Sequence, residues 1–237
     1  IVATGAHLVG AHGDTGREIE ADGFTIDESV EMLLASDSPR ATGTSMGLGV
    51  IGLTNALSRL EPDMIVLLGD RYEALAAAQS AMILGIPIAH IHGGEATEGL
   101  IDEAIRHSIT KMSHIHFVAA EPYRRRVIQL GEQPEMVHLV GAAGLDNIAG
   151  LEWMEREALE DSLGMTLAAP LFLVTYHPVT LERDGTAAID ALFEALDAFP
   201  RATVVFTGSN ADPQGAVIDA KIREYCVQHP ARAKHFA

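Results

Sequence analysis

The chain has 237 residues, a formal net charge of −17 and a hydrophobic fraction of 48%, with a mean hydropathy of +0.16. This length and composition allow one large domain or two smaller ones around a substantial core. Nucleic acids and anionic membranes bind basic surfaces, so we expect this acidic chain to bind neither. A few local donors can still hold an anionic small molecule.

Cysteine usage excludes an intrachain disulfide, because Cys226 is the single cysteine. That usage is consistent with a reducing, cytoplasmic compartment. No run of about 18 or more apolar residues is present, so we expect no transmembrane helix. No signal peptide is visible at the start. The numbering opens inside a strand-like run and closes after a helix-like one, so we expect a fragment at both ends.

Short aliphatic runs alternate with longer amphipathic runs along the first part of the chain. In chain order these predict strands at 1–4 and 26–34, a helix at 45–60, a strand at 63–68, a helix at 72–84, a strand at 87–91, a helix at 102–112, a strand at 116–119, a helix at 121–130, a strand at 137–140 with a glycine-rich loop at 141–144, and a charged surface helix at 151–163. Strand–helix alternation at this spacing favours βαβ units and a parallel sheet.

The pattern restarts after a predicted domain junction at 167–170. It predicts a strand at 171–176, a helix at 186–199, a strand at 203–207 and a helix at 214–229. We therefore predict two α/β units, the second incomplete. In open parallel sheets, ligands bind beyond the carboxyl ends of the strands, and polar and glycine residues follow several of the predicted strands.

The motif GDRYEALAAAQ at 69–79 places Asp70 at a strand-to-helix turn. Aspartate at such a turn commonly caps the helix, and the spacing alone favours this interpretation. A functional carboxylate is compatible with it, because a helix N-terminus steadies a negative charge while leaving one oxygen free.

The densest polar segment is HIHGGEATEGLIDEAIRH at 90–107. Gly93 and Gly94 allow a sharp bend or the close approach of a ligand. Asp102 and Glu103 open a helix with Arg106 one turn further on, which predicts a favourable helix start and an i,i+3 or i,i+4 ion pair. Two histidines, two glycines and an acid in one loop indicate a function beyond that.

A metal site is the less favoured interpretation of this segment. His90 and His92 alternate along a strand and so face opposite sides, which disfavours one shared ion. His107 with Asp102 or Glu103 could in principle complete a site. We predict no metal site.

The second unit carries weaker signals. A lone histidine at a strand end, such as His177 in TYHPVT at 175–180, is often only a satisfied polar residue. Its place at the edge where ligands bind favours a role. SNADPQG at 209–215 is typical of a helix entry and could also contact a ribose or phosphate. The phosphate-loop patterns GxxxxGK[ST] and GxGxxG are absent from the sequence.

Six strings resemble the hydrolysing UDP-N-acetylglucosamine 2-epimerases, which make N-acetylmannosamine for sialic acid synthesis and have close relatives in legionaminic acid pathways. They are GDRYEALAAAQ, IPIAHIHGGE, IDEAIRHSITKMSHIHFVA, GLDNI, TYHPVT and TGSNADPQG. The resemblance implies a glycosyltransferase-B-like α/β fold, with an N-terminal Rossmann-like domain at 1–166 and a partial C-terminal one at 167–237 facing a cleft. It also implies a homodimer.

The resemblance further implies a reaction on a UDP-sugar held mainly by the C-terminal half. A base takes the C2 proton, UDP leaves C1 by anti elimination, and water adds to the resulting 2-acetamidoglucal. No redox cofactor is implied. The family's acids match Asp70, Glu95 and Asp102, and its strand-end histidine matches His177, so these are the predicted catalytic residues. The predicted substrate-binding residues are Arg71, His92, Gly94, Glu103, Arg106, His107 and Asn210.

The sequence departs from the family pattern at both ends. Relatives have an earlier strand with a basic glycine-rich loop, and a later Ser/Gly-rich nucleotide loop with a glutamate. Position 143 is alanine where relatives often have proline. We therefore expect these 237 residues alone to lack part of the UDP site and full activity.

Three alternatives stay open at this point. They are a non-hydrolysing epimerase, a hydrolysing 2-epimerase of a UDP-2,4-diacetamido-trideoxyhexose, and a nucleotide-sugar-binding module without catalysis. The string HIHGGE favours the hydrolysing group over the first. Three acids together with His177 argue against a pure binder of a dianion. The second alternative is barely separated from UDP-N-acetylglucosamine by sequence alone.

Overall fold

The computed structural model describes residues 1–10, 15–36, 38–179, 187–208 and 214–236. They divide into two compact units, Ile1–Gly150 and Leu151–Ala237. This division assigns residues 151–166 to the second unit, whereas the sequence pattern places the boundary after residue 166. The domain boundary therefore stays a prediction.

The first unit is an α/β structure with two parallel sheets. Its elements are β1 (Val2–Thr4), a 3-10 turn (Gly5–Leu8), α1 (Gly16–Ala21), β2 (Glu28–Val30), α2 (Pro39–Leu60), β3 (Ile65–Leu68), α3 (Tyr72–Leu84), β4 (Ile88–Ile91), α4 (Ile101–Met112), β5 (Ile115–Val118), α5 (Glu121–Gln129), a second 3-10 turn (Pro134–Met136), β6 (Val137–Leu139) and α6 (Gly144–Gly150). Strands β1 and β2 pair with each other, and the second sheet has the order β3-β4-β5-β6. All these pairings are parallel.

The second unit repeats the same alternation. It contains α7 (Arg156–Leu163), β7 (Leu171–Val174), α8 (Ala187–Asp197), β8 (Thr203–Thr207), α9 (Gly215–Gln228) and β9 (Ala233–Phe236). Its three strands form a parallel sheet in the order β7-β8-β9. Its core joins aliphatic side chains of the two longer helices to an aromatic group in which Phe193 stacks on Tyr225.

The core of the first unit lies between the longer sheet and its helices. Tyr72 and Ile88 are buried there with Ile105 and Ile109 of α4. The alanines of α3 allow close packing, and Ala76, Ala78 and Ala81 are fully buried. No helix within the described ranges is long and apolar enough to span a membrane.

Most predicted elements are confirmed, and two of them, α3 and β8, have the predicted bounds. Helix α2 begins six residues earlier than predicted, at Pro39 rather than residue 45. The reason is local: the Ser38 hydroxyl accepts the Ala41 N–H at 3.2 Å, and a proline suits the first helical position.

Other predictions were incomplete or wrong. The surface helix predicted from residue 151 begins only at Arg156, and residues 151–155 are not helical. Helices α1 and α6 and strand β9 were not predicted. All three are short, so the hydrophobic periodicity that identifies longer elements has too few residues to show itself.

Helix α2 lies close against β2 because small residues face the strand. A Cβ added at Gly52 would lie 2.4 Å from Val30 Cγ1, whereas nothing lies within 4 Å of one added at Gly47. Both glycines lie in the interior of the same helix, so they separate the packing effect of a methyl group from its effect on helix propensity.

We expect Gly52→Ala to lower the free energy of unfolding by about 1–3 kcal/mol, because the added methyl overpacks against Val30. Gly47→Ala, the matched control, should raise it by about 0.5–1 kcal/mol through backbone entropy. Urea denaturation followed by circular dichroism measures both. Equal shifts in the two variants would contradict the packing argument.

Candidate active site

Acidic and histidine side chains gather where the strands of the longer sheet of the first unit end. Gly69 and Asp70 follow β3, the loop His92–Glu95 follows β4, and α4 begins nearby with acidic residues in its first turn. The carboxyl edge of a parallel sheet is the usual place for a ligand. The structure thus brings three predicted segments to one edge.

The guanidinium of Arg106 joins these segments. Its side chain is 6% exposed and forms an ion pair with the Asp70 carboxylate. The same group donates to the Glu95 carbonyl at 3.0 Å and to the Thr97 hydroxyl at 2.9 Å. Burial lowers the pKa of Arg106, with Arg126 as a second cause, but an arginine stays charged in proteins. One buried cation therefore contacts Asp70 and the loop that carries Glu95.

Glu103 closes the same cluster from the first turn of α4. One carboxylate oxygen accepts the Thr97 N–H at 2.5 Å and lies 3.5 Å from Arg106 Nη1, which confirms the predicted i,i+3 ion pair. The other oxygen lies 3.1 Å from His107 Nε2. The Thr97 N–H, and after it His107, holds the pKa of Glu103 below its ordinary value. Glu103 thus anchors the loop as a carboxylate.

His92 and Glu95 form a second pair on the loop after β4. His92 Nδ1 lies 2.7 Å from Glu95 Oε1, and both side chains are partly exposed, at 23% and 30%. His92 adopts the left-handed backbone region with a φ of 65°. Non-glycine residues seldom do so, and they concentrate at functional sites. An imidazole bonded to a carboxylate can relay a proton.

Residues of α5 lie close against Gly94. Its φ is 79°, and a Cβ there would lie 2.4 Å from the Tyr123 carbonyl oxygen. Arg126 donates to the Gly94 carbonyl. The glycine is therefore required by the close approach of α5, while its predicted contact with substrate stays a prediction.

The capping interpretation of Asp70 is wrong. Helix α3 starts at Tyr72 with Arg71 as its N-cap residue and no side-chain cap hydrogen bond, and Asp70 is drawn instead to Arg106. Arg71 lies over the Tyr72 ring at 5.3 Å and has its Nε 3.4 Å from Glu73 Oε2. Long-range attraction to a buried cation outweighs the local capping preference.

Three predicted residues remain, Asp102, His177 and Asn210. Asp102 lies in the first turn of α4 next to Glu103. His177 follows β7 in the second unit, where its side chain is exposed. Asn210 lies outside the described residues.

A sequence profile of the UDP-N-acetylglucosamine 2-epimerase family matches residues 1–236. The chain belongs to this family. The predicted resemblance is therefore confirmed.

Two curated relatives match nearly the whole chain. One, from Campylobacter jejuni, is named GDP/UDP-N,N′-diacetylbacillosamine 2-epimerase (hydrolyzing) and is 41% identical over 100% of this chain and 62% of its own length. The other, from Legionella pneumophila, is named UDP-N,N′-diacetylbacillosamine 2-epimerase (hydrolyzing) and is 37% identical over 97% of this chain and 60% of its own. This epimerase-family chain thus spans about three fifths of the length of these relatives.

The fold is shared with solved epimerase structures. A UDP-GlcNAc 2-epimerase from Neisseria meningitidis bound to UDP-GlcNAc superposes with a TM-score of 0.73 at 16% identity, covering 93% of this chain and 60% of that chain. The predicted α/β class of glycosyltransferase-B type is confirmed.

Two residues of the cluster could not be predicted from the sequence of this epimerase-family chain. Thr97 bonds both Arg106 and Glu103, and Arg126 binds the Gly94 carbonyl. Thr97 is one small polar residue in a polar loop, and nothing in its spacing marks it. Arg126 follows two other arginines on α5, so the sequence could signal a basic patch but not which guanidinium turns toward the loop.

Arg106→Met should lower the free energy of unfolding by about 3 kcal/mol, because it leaves the Asp70 carboxylate partly buried without its cation. Arg59→Met is the matched control. Arg59 pairs with Glu28 at 2.8 Å but is 59% exposed, so its loss should lower the free energy of unfolding much less than the loss of Arg106. Urea unfolding measures both, and a larger loss for Arg59 would refute the central place given to Arg106.

Proposed function

We propose that this protein is a hydrolysing 2-epimerase of a UDP-sugar, which releases UDP and the free sugar with inverted configuration at C2. Family membership supports an epimerase. Two relatives at 41% and 37% identity, both named as hydrolysing enzymes, support hydrolysis over the simple interconversion of two UDP-sugars.

The substrate that we propose is UDP-N,N′-diacetylbacillosamine, a 2,4-diacetamido-trideoxyhexose nucleotide. The sequence motifs favour UDP-N-acetylglucosamine as the substrate, with this diacetamido sugar nucleotide as the alternative. The names of the two relatives support the alternative better. UDP-N-acetylglucosamine stays the second candidate because the family description carries that name.

The observation that supports catalysis at this site is the arrangement around Arg106. Arg106 contacts the Asp70 carboxylate directly. It also binds the backbone of the loop that carries a second acid, Glu95, at the same edge of the sheet. Removing a proton from carbon and adding one from the opposite face requires groups on both sides of the sugar ring. Acids from separate loops can provide this, whereas a site that only binds UDP gains nothing from them.

The proposed reaction has two stages. A carboxylate removes the C2 proton, the C1–O bond breaks, and its electron pair leaves with UDP, giving the 1,2-unsaturated sugar. Water then adds across the double bond, with hydroxyl going to C1 and a proton reaching C2 from the opposite face. Because Asp70 is ion-paired with Arg106, we propose Asp70 as a proton acceptor. The partly exposed His92–Glu95 pair supplies the second proton transfer, with Asp102 as the third acid. Exposed His177 is proposed to offset charge on the departing phosphate.

Incubation of the full-length protein with each UDP-sugar in D₂O tests the reaction. We expect free UDP and free sugar carrying deuterium at C2, and a kcat/KM at least about tenfold higher for UDP-N,N′-diacetylbacillosamine than for UDP-N-acetylglucosamine. A preference for UDP-N-acetylglucosamine would reverse the substrate assignment. C2 deuteration without UDP release would point to a non-hydrolysing epimerase.

Substitution of the three acids tests the site. Asp70→Asn, Glu95→Gln and Asp102→Asn should each lower kcat by about 10²–10⁴-fold, because each removes a positioned acid or base. Glu98→Gln is the matched control. Glu98 lies in the same segment but is exposed, so its kcat should stay within about twofold. Any acid variant that turns over like the wild type removes that residue from the mechanism.

A homodimer and a cytoplasmic location stay predictions that family membership favours. Sedimentation of the full-length protein and fractionation of its host cell test them.

A further inference from the structure

The turn that carries Asp70 depends on a contact made from the neighbouring strand. Gly69 has a φ of 75°, and its N–H donates to the Ile91 carbonyl at 2.9 Å. Its own carbonyl oxygen lies 2.7 Å from Nε2 of His90. His90 lies within β4 and is fully buried. The Gly69 carbonyl is partly buried, and the imidazole provides its hydrogen-bond donor.

The contacts of His90 define its tautomer. A carbonyl oxygen can only accept, so Nε2 carries the proton and donates to Gly69. Nδ1 is then an acceptor, and the Thr110 hydroxyl, 3.2 Å away, donates to it. Burial lowers the pKa of His90 to about 4, against the Gly69 hydrogen bond, which raises it. The ring is therefore neutral near pH 7.

Thr110 ties this imidazole to the helix that carries the buried cation. It lies one turn after Arg106 on α4, and both side chains are buried. Two hydrogen bonds, from Thr110 to His90 and from His90 to Gly69, therefore connect α4 to the turn after β3. The ion pair between Arg106 and Asp70 connects the same helix to the same turn. Gly93 makes room for it, because a Cβ there would lie 3.1 Å from both His90 Nδ1 and Thr110 Oγ1.

We propose that His90 is a positioning residue: by holding the Gly69 carbonyl and the α4 hydroxyl of Thr110 together, it sets the Asp70 carboxylate against Arg106. The expected effect on turnover rests on the proposed function, whereas the contact of His90 with Gly69 does not depend on it. His90 is fully buried, so we expect its effect to pass through Asp70 rather than through contact with a substrate. Supporting contacts of this kind typically contribute about 10- to 100-fold in activity.

Two substitutions separate positioning from packing in the full-length protein. His90→Gln keeps an N–H donor near the place of Nε2, whereas His90→Leu fills the space without one. We expect His90→Leu to lower kcat by about 10- to 100-fold with little change in KM, and His90→Gln to recover most of that loss. Each rate is divided by the concentration of folded protein, which circular dichroism measures. Equal kcat for the two variants, or wild-type kcat in His90→Leu, overturns the proposal.

A second measurement keeps this test independent of turnover. The ¹³C shift of the Asp70 carboxyl carbon should move in His90→Leu and return toward the wild-type value in His90→Gln. An Asp70 signal that is unchanged in His90→Leu overturns the positioning role. If the wild type turns over no UDP-sugar but this pattern appears, the proposed function fails and the role of His90 stands.

Acidification provides a further prediction. The folded pKa of His90 lies below its unfolded value, so the stability from the neutral ring is complete above about pH 6.5 and is lost as the pH falls toward 4. Besides burial, the like charges of His116, His92 and His107 lower the pKa of His90. The urea midpoint of the wild type should therefore fall relative to that of His90→Gln across this range. A constant difference between the two would show that His90 is not held neutral.

Discussion

The acidic edge of the first unit depends on the buried guanidinium of Arg106. The carboxylates of Asp70 and Glu103 are brought near each other in a chain of net charge −17, and without a cation between them they would repel. Arg106 is placed there by α4, because Ile105 and Ile109 of that helix are packed into the core. Hydrophobic packing therefore fixes the position of α4, α4 fixes the position of Arg106, and Arg106 fixes the geometry of the site.

Long, strongly patterned elements could be predicted from sequence, and their ends could not. Helix α3 combines an alanine-rich run with a terminal Gly85 in the left-handed region, so composition and stop signal agree. Helix α2 begins with residues that lack apolar periodicity, and a cap at Ser38 decides its start. Strand β9 is four residues long and gains its order from pairing with β8. Such pairing partners are distant in sequence, and a local pattern does not contain them.

The segments of the candidate site could be predicted, and its contacts could not. Motifs after β3 and β4 identify where acids and histidines lie, because strand ends of a parallel sheet share one edge. They do not show that Asp70 turns away from the helix it precedes, or that Arg126 reaches Gly94 from another helix. These choices depend on which charged groups burial brings within reach, and that is a property of the assembled sheet.

The glycines of α2 have a consequence for how the first unit becomes ordered. The helix spans 22 residues and contains glycine at 43, 47, 49 and 52, which together disfavour helix by roughly 3–4 kcal/mol relative to alanine. A peptide of this sequence in water would be mostly coil. The segment becomes helical only together with β2 and α3, against which it packs. The small residues that permit this close contact therefore also make the contact a condition of the helix. The early part of this polypeptide must therefore gain its structure in one concerted event rather than helix by helix.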